Sequence, residues 1–154
     1  MSRYFLSVIL VTIFSFFSLH SIASGTELRE SDRIIEGHLL PCPSEVACVV
    51  SLQEESSYYI DPISYHIERN KAKEILLKVL TVVPRTKVIE TKDNYILAQS
   101  KGKFWGRMDD LEFYFTPNSS TIELRSASRS NKFDLGLNRR RLEQIRLALK
   151  ELNV

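Results

Sequence analysis

The chain has 154 residues, of which 44% are hydrophobic and 26% are charged, and its formal net charge is +2. This length allows one domain with a hydrophobic core and is too short for two once an N-terminal targeting segment is removed. A charge so close to neutral gives no general reason to expect binding to nucleic acid or to an anionic membrane, so charge has to be considered locally.

Residues 1–23 are typical of a signal peptide. Arg3 is the only Lys, Arg, Asp or Glu in the first 26 positions, and the run from Tyr4 to Leu19 is almost wholly apolar. Small residues end this segment at Ala23, which predicts cleavage after that residue. A retained membrane anchor is the alternative, but the apolar run is shorter than the roughly 20 residues that span a bilayer. We therefore expect an exported protein, periplasmic or secreted, that meets the membrane only during export.

The segment 24–60 is predicted to form an irregular N-terminal arm that contains both cysteines, Cys42 and Cys48. In an exported protein a pair this close favours a disulfide across a short loop, which stabilises the fold by at most about 2–3 kcal/mol. A metal site is the alternative, but His38 and His66 lie at no zinc-like spacing from the cysteines. No cofactor is therefore expected.

The rest of the chain, 61–154, is predicted to form an α+β domain. Apolar residues at three- and four-residue steps indicate two helices, over 70–83 and 138–152. Turn-forming clusters separate four predicted strands, over 87–91, 95–99, 104–115 and 121–129. Connected as a meander, these strands form an antiparallel four-stranded sheet with the two helices packed on one face.

The last two predicted strands also define a register. Apolar residues occupy odd positions before the connecting loop and even positions after it, so both sets are buried together only if Phe113 lies opposite Leu124. The same register places Glu112 opposite Arg125, with Asp110 diagonal to them. One face of the sheet is therefore expected to be apolar and covered by helices, and the other to carry acidic and basic residues.

The segment that joins the last strand to the last helix is rich in arginine. Three arginines, at 139–141, fall in the first turn of the predicted helix, for which Asn138 is the expected N-cap. Because the helix dipole is already positive there, these cations need a negative partner, either the protein's own carboxylates or an external anion. We define an acid–arginine cluster on the exposed sheet face, formed by Asp110, Glu112, Arg125 and Arg129, with Asp134, Asn138 and Arg139 at its rim.

Three functions are compatible with these residues. We expect a non-enzymatic binding or interaction module, whose partner is an anionic small molecule or an envelope protein rather than nucleic acid. The first alternative is a metal-dependent hydrolase that uses Asp109, Asp110 and Glu112, although the sequence has no nucleophile elbow, phosphate-binding glycine loop or His-Glu-x-x-His motif. The second is a purely structural envelope protein, in which the acid–arginine pairs are ordinary surface contacts.

Three stretches of the sequence form a recognisable series: Leu40 to Pro43 with Cys48 and Ser51, Gly106 to Phe113, and Arg125 to Arg129 with Asp134 to Arg139. In this order they resemble the successive blocks of the domain of unknown function 1499 family, over about residues 39–150. The family has no established activity, so the resemblance implies no particular ligand or reaction. Many members of the family have export or membrane segments, which agrees with the predicted signal peptide. Because the blocks contain the acid–arginine cluster, the resemblance favours a role for that cluster beyond holding the sheet together.

Overall fold

The computed structural model describes residues 32–43, 46–52, 54–102, 106–130 and 133–154. Within these ranges the chain forms eight strands and two helices: β1 (Ile34–Ile35), β2 (His38–Leu39), β3 (Cys48–Val50), β4 (Ile63–Ser64), α1 (Arg69–Val82), β5 (Thr86–Thr91), β6 (Tyr95–Lys101), β7 (Met108–Phe115), β8 (Thr121–Ser128) and α2 (Leu137–Glu151). The predicted signal peptide, 1–23, lies outside the described residues. The predicted strand over 104–115 is described from residue 106 onward, and there it begins at Met108.

The α+β class is confirmed, but the four-stranded sheet is wrong. The main sheet has six antiparallel strands in the order β3-β8-β7-β6-β5, and β4 also pairs with β8. The four predicted strands form the meander β5 to β8. The two extra strands come from residues upstream of the first helix and extend the sheet at the free edge of β8.

The predicted irregular arm is wrong in part for the same reason. β1 and β2 form a short hairpin, and β3 aligns Cys48 with Ala127 and Val50 with Arg125. The predicted disulfide between Cys42 and Cys48 is confirmed, with a Cα–Cα distance of 5.7 Å. Because Cys48 belongs to β3, the disulfide ties the loop before that strand directly to the sheet.

Both helices pack on the same face of the sheet, here called the helix face. Helix α1 begins where the Glu68 carboxylate accepts hydrogen bonds from the backbone N–H groups of Asn70 and Lys71, and it ends two residues before Pro84. The buried residues of the two helices meet the apolar side chains of β6, β7 and β8 in one core: Ala72, Leu76, Val79, Leu80, Leu142, Ile145 and Leu149. Leu152, the last residue of the predicted second helix, lies just beyond the end of α2 and is exposed, so it does not contribute to the apolar stripe.

The opposite side of the sheet, here called the second face, has a small core of its own. Leu39 from β2 is buried against Tyr95, Leu97 and Tyr114 of the sheet, and Ile34 packs beside them. The β1–β2 hairpin therefore covers the face that the sequence pattern predicts to be exposed.

Candidate functional site

The predicted register between β7 and β8 is confirmed. Phe113 lies opposite Leu124 on the helix face, and Glu112 lies opposite Arg125 on the second face. The side chain of Arg125 donates a hydrogen bond to Oε2 of Glu112. The four residues of the acid–arginine cluster are thus brought together as the sequence predicts, since Nε of Arg129 also bonds to Oδ1 of Asp110, at 3.0 Å.

The prediction that this cluster lies on an exposed face is wrong. Glu112 has 0% exposure, and Asp110 and Arg125 are also buried. Arg33, just before β1, reaches over the cluster and places Nη1 3.3 Å from Oε1 of Glu112 and Nη2 3.5 Å from Oδ2 of Asp110. The cover comes from residues almost eighty positions upstream, and for that reason the alternation within β7 and β8 could not reveal it.

A second set of contacts fixes the β1–β2 hairpin beside the cluster. The buried carboxylate of Glu123 accepts a hydrogen bond from the backbone N–H of Leu39, at 2.9 Å, and lies 2.5 Å from Nδ1 of His38. Together with Arg33, these contacts hold both strands of the hairpin against the sheet. The cluster, together with Arg33, His38, Glu123 and the Tyr95 hydroxyl that bonds to Glu112, therefore forms an internal clamp whose charges are paired within the protein.

The clamp changes the ionisation of two of its members. The hydroxyl of Tyr95 donates to Oε1 of Glu112 at 2.9 Å, and burial, followed by the negative charge of Glu112, raises the pKa of Tyr95 well above its usual value. For Arg33, burial acts to lower the pKa, but attraction to the negative charges of Glu112 and Asp110 outweighs it and leaves the pKa raised. Both groups therefore keep their protons in the folded protein at neutral pH.

The three residues predicted at the rim of the cluster do not lie beside it. Asp134 accepts hydrogen bonds from the backbone N–H groups of Gly136 and Asn138, both at 2.9 Å, and so caps α2. The N-cap position is Gly136, so the prediction that Asn138 is the N-cap is wrong. Asn138 is fully buried on the helix-face side, where its amide donates to the carbonyl of Ala47 and accepts from the Ser126 hydroxyl.

Arg139 is also placed away from the cluster. Its guanidinium donates to the backbone carbonyls of Tyr59, at 2.7 Å, and Ser57, at 2.9 Å. Arg141 bonds instead to Asp109, which is fully buried and also accepts from Arg107. Of the three arginines in the first turn of α2, Arg141 is therefore paired with a carboxylate of the protein, as one of the two expectations held, whereas Arg139 bonds only to neutral carbonyl groups.

Asp109 lies on the helix face, opposite in direction to Asp110 and Glu112. The three carboxylates proposed as metal ligands are therefore divided between the two sides of the sheet. Across the described ranges, no group of three or more His, Cys, Asp or Glu side chains is placed to hold a metal ion.

One open site among the described residues is a groove that the sequence analysis did not predict. It lies where β6 and β8 end and β7 begins, between the end of α1 and the start of α2, and it has a volume of about 780 Å³. We call it the terminal groove and define it by its apolar residues Val83, Pro84, Met108, Phe133, Leu135 and Leu137, together with its basic residues Arg85, Lys101, Arg107, Arg129, Arg140 and Arg141.

The charges of the terminal groove are not balanced. Asp134 is its single acidic lining residue among those the structure describes. Arg107 and Arg141 are paired with Asp109, and Arg129 with Asp110. Arg85, Lys101 and Arg140 are exposed and form no ion pair with any of the described residues. The sequence feature that could have indicated this site is the segment from Phe133 to Leu137, followed by the three arginines at 139–141. Arg140, the central one of the three, forms no ion pair with the described residues.

Comparison with protein families gives one match over most of the chain. The family model described as "Protein of unknown function (DUF1499)" matches residues 38–149. Comparison with curated proteins and with solved structures finds no match. None of the helices within the described ranges has the length and apolar character needed to cross a bilayer.

Proposed function

The chain belongs to the DUF1499 family, and from this premise we propose that it is a non-enzymatic binding module which holds an anionic small molecule in the terminal groove. The observation that carries the proposal is the set of three exposed cations, Arg85, Lys101 and Arg140, that line a concave site without a carboxylate partner among the described residues. An exposed cation needs no partner within the protein, but three exposed cations that line one concave site favour an external anion.

The shape of the site supports a small molecule rather than an envelope protein as the partner. Sites for small ligands are concave, mostly apolar and about 300–1,000 Å³ in volume, with a few polar groups that orient the ligand. The terminal groove has this size and this composition. The backbone N–H of Lys101 bonds to the carbonyl of Arg85 at 3.0 Å, so these two cations belong to neighbouring segments on one wall.

The acid–arginine cluster offers no comparable binding site. Its carboxylates accept from Arg33, Arg125, Arg129 and Tyr95, and Glu112 has no contact with solvent. This observation favours the structural interpretation for the cluster itself. A metal-dependent hydrolase would have to bring Asp109 to the same side of the sheet as Asp110 and Glu112.

We also propose that the protein is exported and acts in the periplasm or outside the cell. The apolar N-terminal sequence supports this, and so does the disulfide between Cys42 and Cys48, because disulfides persist in oxidising compartments. Cell fractionation followed by N-terminal sequencing is expected to find a chain that begins at Ser24. A chain that keeps its first residues and stays in the cytoplasm would contradict this proposal.

Anion binding can be tested by calorimetry on the exported chain at low ionic strength, with phosphate and carboxylate anions as probes. We expect the double variant R85E/R140E to bind at least about tenfold more weakly, because hydrogen bonds to charged groups contribute about 1.5–3 kcal/mol. Lys87→Glu is the matched control, since Lys87 is an exposed cation of β5 that does not line the groove. Equal weakening by Lys87→Glu, or no binding by any anion, would contradict the proposed function.

A further inference from the structure

We propose that the ligand of the terminal groove is a single-chain amphiphile, with one hydrocarbon chain and an anionic headgroup. This inference rests on the proposed function and adds the chemical class of the ligand. It is carried by the apolar residues of the groove, which an inorganic or fully polar anion would leave in contact with water.

Two large apolar side chains stand at the mouth of the groove. Phe133 is 73% exposed and Leu135 is 71% exposed, and they are separated by a single residue. Val83 and Met108 line the groove from other elements. Contiguous exposed apolar surface on a soluble protein commonly marks an interaction site, because leaving it in water is unfavourable. A hydrocarbon chain in the groove would cover these residues.

Leu135 also has an unusual backbone. Its φ is 54°, in the left-handed region that favours glycine and asparagine. The conformation is held by Asp134, whose carboxylate bonds to the N–H of Gly136 and of Asn138 on the far side of Leu135. Leucine does not favour this backbone conformation, and the side chain of Leu135 does not contribute to the hydrophobic core. Its side chain is therefore best explained by contact with an apolar partner.

The basic residues of the groove indicate the charge at the other end of the ligand. Arg85 and Lys101 lie on the wall formed by the start of β5 and the end of β6, and Arg140 lies on α2. These cations would hold a carboxylate, phosphate or sulfate headgroup while the chain lies along the apolar residues. A groove of about 780 Å³ has room for one long hydrocarbon chain, and a single-chain amphiphile is the simplest ligand that contacts both its apolar and its basic residues.

The test is a chain-length series of linear carboxylates from two to twelve carbons, measured by calorimetry below their micelle concentrations. We expect affinity to rise by about three- to fourfold per methylene until the groove is filled, as follows from the transfer free energy of a buried CH₂. Laurate is expected to bind at least about tenfold more tightly than dodecanol, which has the same chain without the charge.

The possible results separate this inference from the proposed function. If acetate and inorganic phosphate bind as tightly as laurate, the anion site stands and the amphiphile proposal is overturned. If no anion binds, both are overturned. Sedimentation with vesicles of anionic phospholipid, without binding of monomeric laurate, would overturn the proposal in favour of docking on a membrane surface.

A variant of Leu135 distinguishes a ligand contact from a structural role. Asparagine tolerates the left-handed conformation, so Leu135→Asn is expected to fold at least as stably as the original chain. It is nevertheless expected to bind laurate about five- to tenfold more weakly and acetate unchanged. Adding Phe133→Ser is expected to flatten the chain-length dependence further.

Leu147→Gln is the control, because Leu147 is an exposed leucine of α2 that does not line the groove. It is expected to leave the affinity for every chain length unchanged. An unaltered chain-length dependence in the Leu135→Asn, Phe133→Ser double variant would overturn the proposal.

Discussion

Glu112 shows how a single carboxylate organises the second face of the sheet. It is fully buried and accepts hydrogen bonds from Arg33, Arg125 and Tyr95. A buried charge is costly unless it is paired and its hydrogen bonds are satisfied, and removing one partner leaves the others uncompensated. The contribution of Glu112 to folding is therefore best measured by the cost of neutralising it.

We predict that Glu112→Gln lowers the free energy of unfolding by about 3–5 kcal/mol, because the guanidinium groups of Arg33 and Arg125 lose their shared counter-charge while remaining buried. Urea unfolding at neutral pH measures this change. Glu143→Gln is the control: it removes a partly exposed pair with Arg146 and should cost no more than about 1 kcal/mol. Similar losses of unfolding free energy in both variants would show that the buried ion pairs of Glu112 stabilise the fold no more than a partly exposed pair does.

Tyr95 gives a prediction about pH. Its folded-state pKa is raised, so the stability it contributes is complete below the unfolded value of about 10 and is lost as the pH rises above it. Tyr95→Phe removes this titration together with the hydrogen bond to Glu112. At pH 7 we expect the variant to be less stable by about 1.5–3 kcal/mol, the range for a hydrogen bond to a charged group.

Above pH 10 the difference in the free energy of unfolding between the original chain and Tyr95→Phe should shrink by about 1.4 kcal/mol per pH unit. The reason is that the phenol of the original chain ionises in the unfolded state but stays neutral in the folded state, whereas the variant has no phenol. Urea midpoints at pH 7, 9 and 11 measure it, and the difference should be constant between pH 7 and 9. A difference that stays the same at pH 11 would contradict the assignment.

At the scale of elements, the long periodic segments could be predicted and the short ones could not. Both helices and the meander were predicted to within one or two residues where they are described, and the register followed from the phase of Phe113 against Leu124. The strands β1 to β4 have only two or three residues, which is too short for a period of two to show. Their pairing is fixed by partners far along the chain.

In the candidate site, too, some features could be predicted from the sequence and others could not. The contacts of Asp110, Glu112, Arg125 and Arg129 follow from strand geometry and could be predicted. Their burial could not, because a covered face of paired charges has the same alternating sequence as a solvated face. The placement of Asp134 and Arg139 could not be predicted either, since they lie on either side of a turn whose direction depends on Leu135 and Gly136 in left-handed conformations.

The β1–β2 hairpin provides a test at this scale. Leu39 is almost fully buried against Tyr95, Leu97 and Tyr114, so Leu39→Ala should cost about 2–5 kcal/mol through lost burial and the cavity that remains. Ile35→Ala in the neighbouring strand removes an exposed side chain and should cost less than about 1 kcal/mol. Urea unfolding compares the two. Equal effects would mean that the hairpin does not cover the face in solution.

For the whole molecule, the structure has one region that stabilises the fold and another that is available to a ligand, and they meet at Arg129, which pairs with Asp110 and lines the groove. The clamp joins the start of the described chain to the middle of the sheet, and its charges are paired. The terminal groove lies at the end of the sheet and leaves cations and apolar residues exposed. Variants of the clamp are therefore expected to change stability, whereas variants such as Arg140→Glu are expected to change binding.

The extent of the folded unit gives the last prediction. The family match begins at residue 38, but Arg33, which bonds to Glu112 and Asp110, lies before it. A chain of residues 38–154 keeps His38, Leu39 and the disulfide yet loses this guanidinium and β1. Compared with residues 32–154, it should be less stable by about 3 kcal/mol or more, because Asp110 and Glu112 remain buried with fewer partners. Urea unfolding followed by near-ultraviolet circular dichroism measures the loss. Equal stability of the two chains would show that Arg33 is dispensable and that the folded unit begins where the family match does.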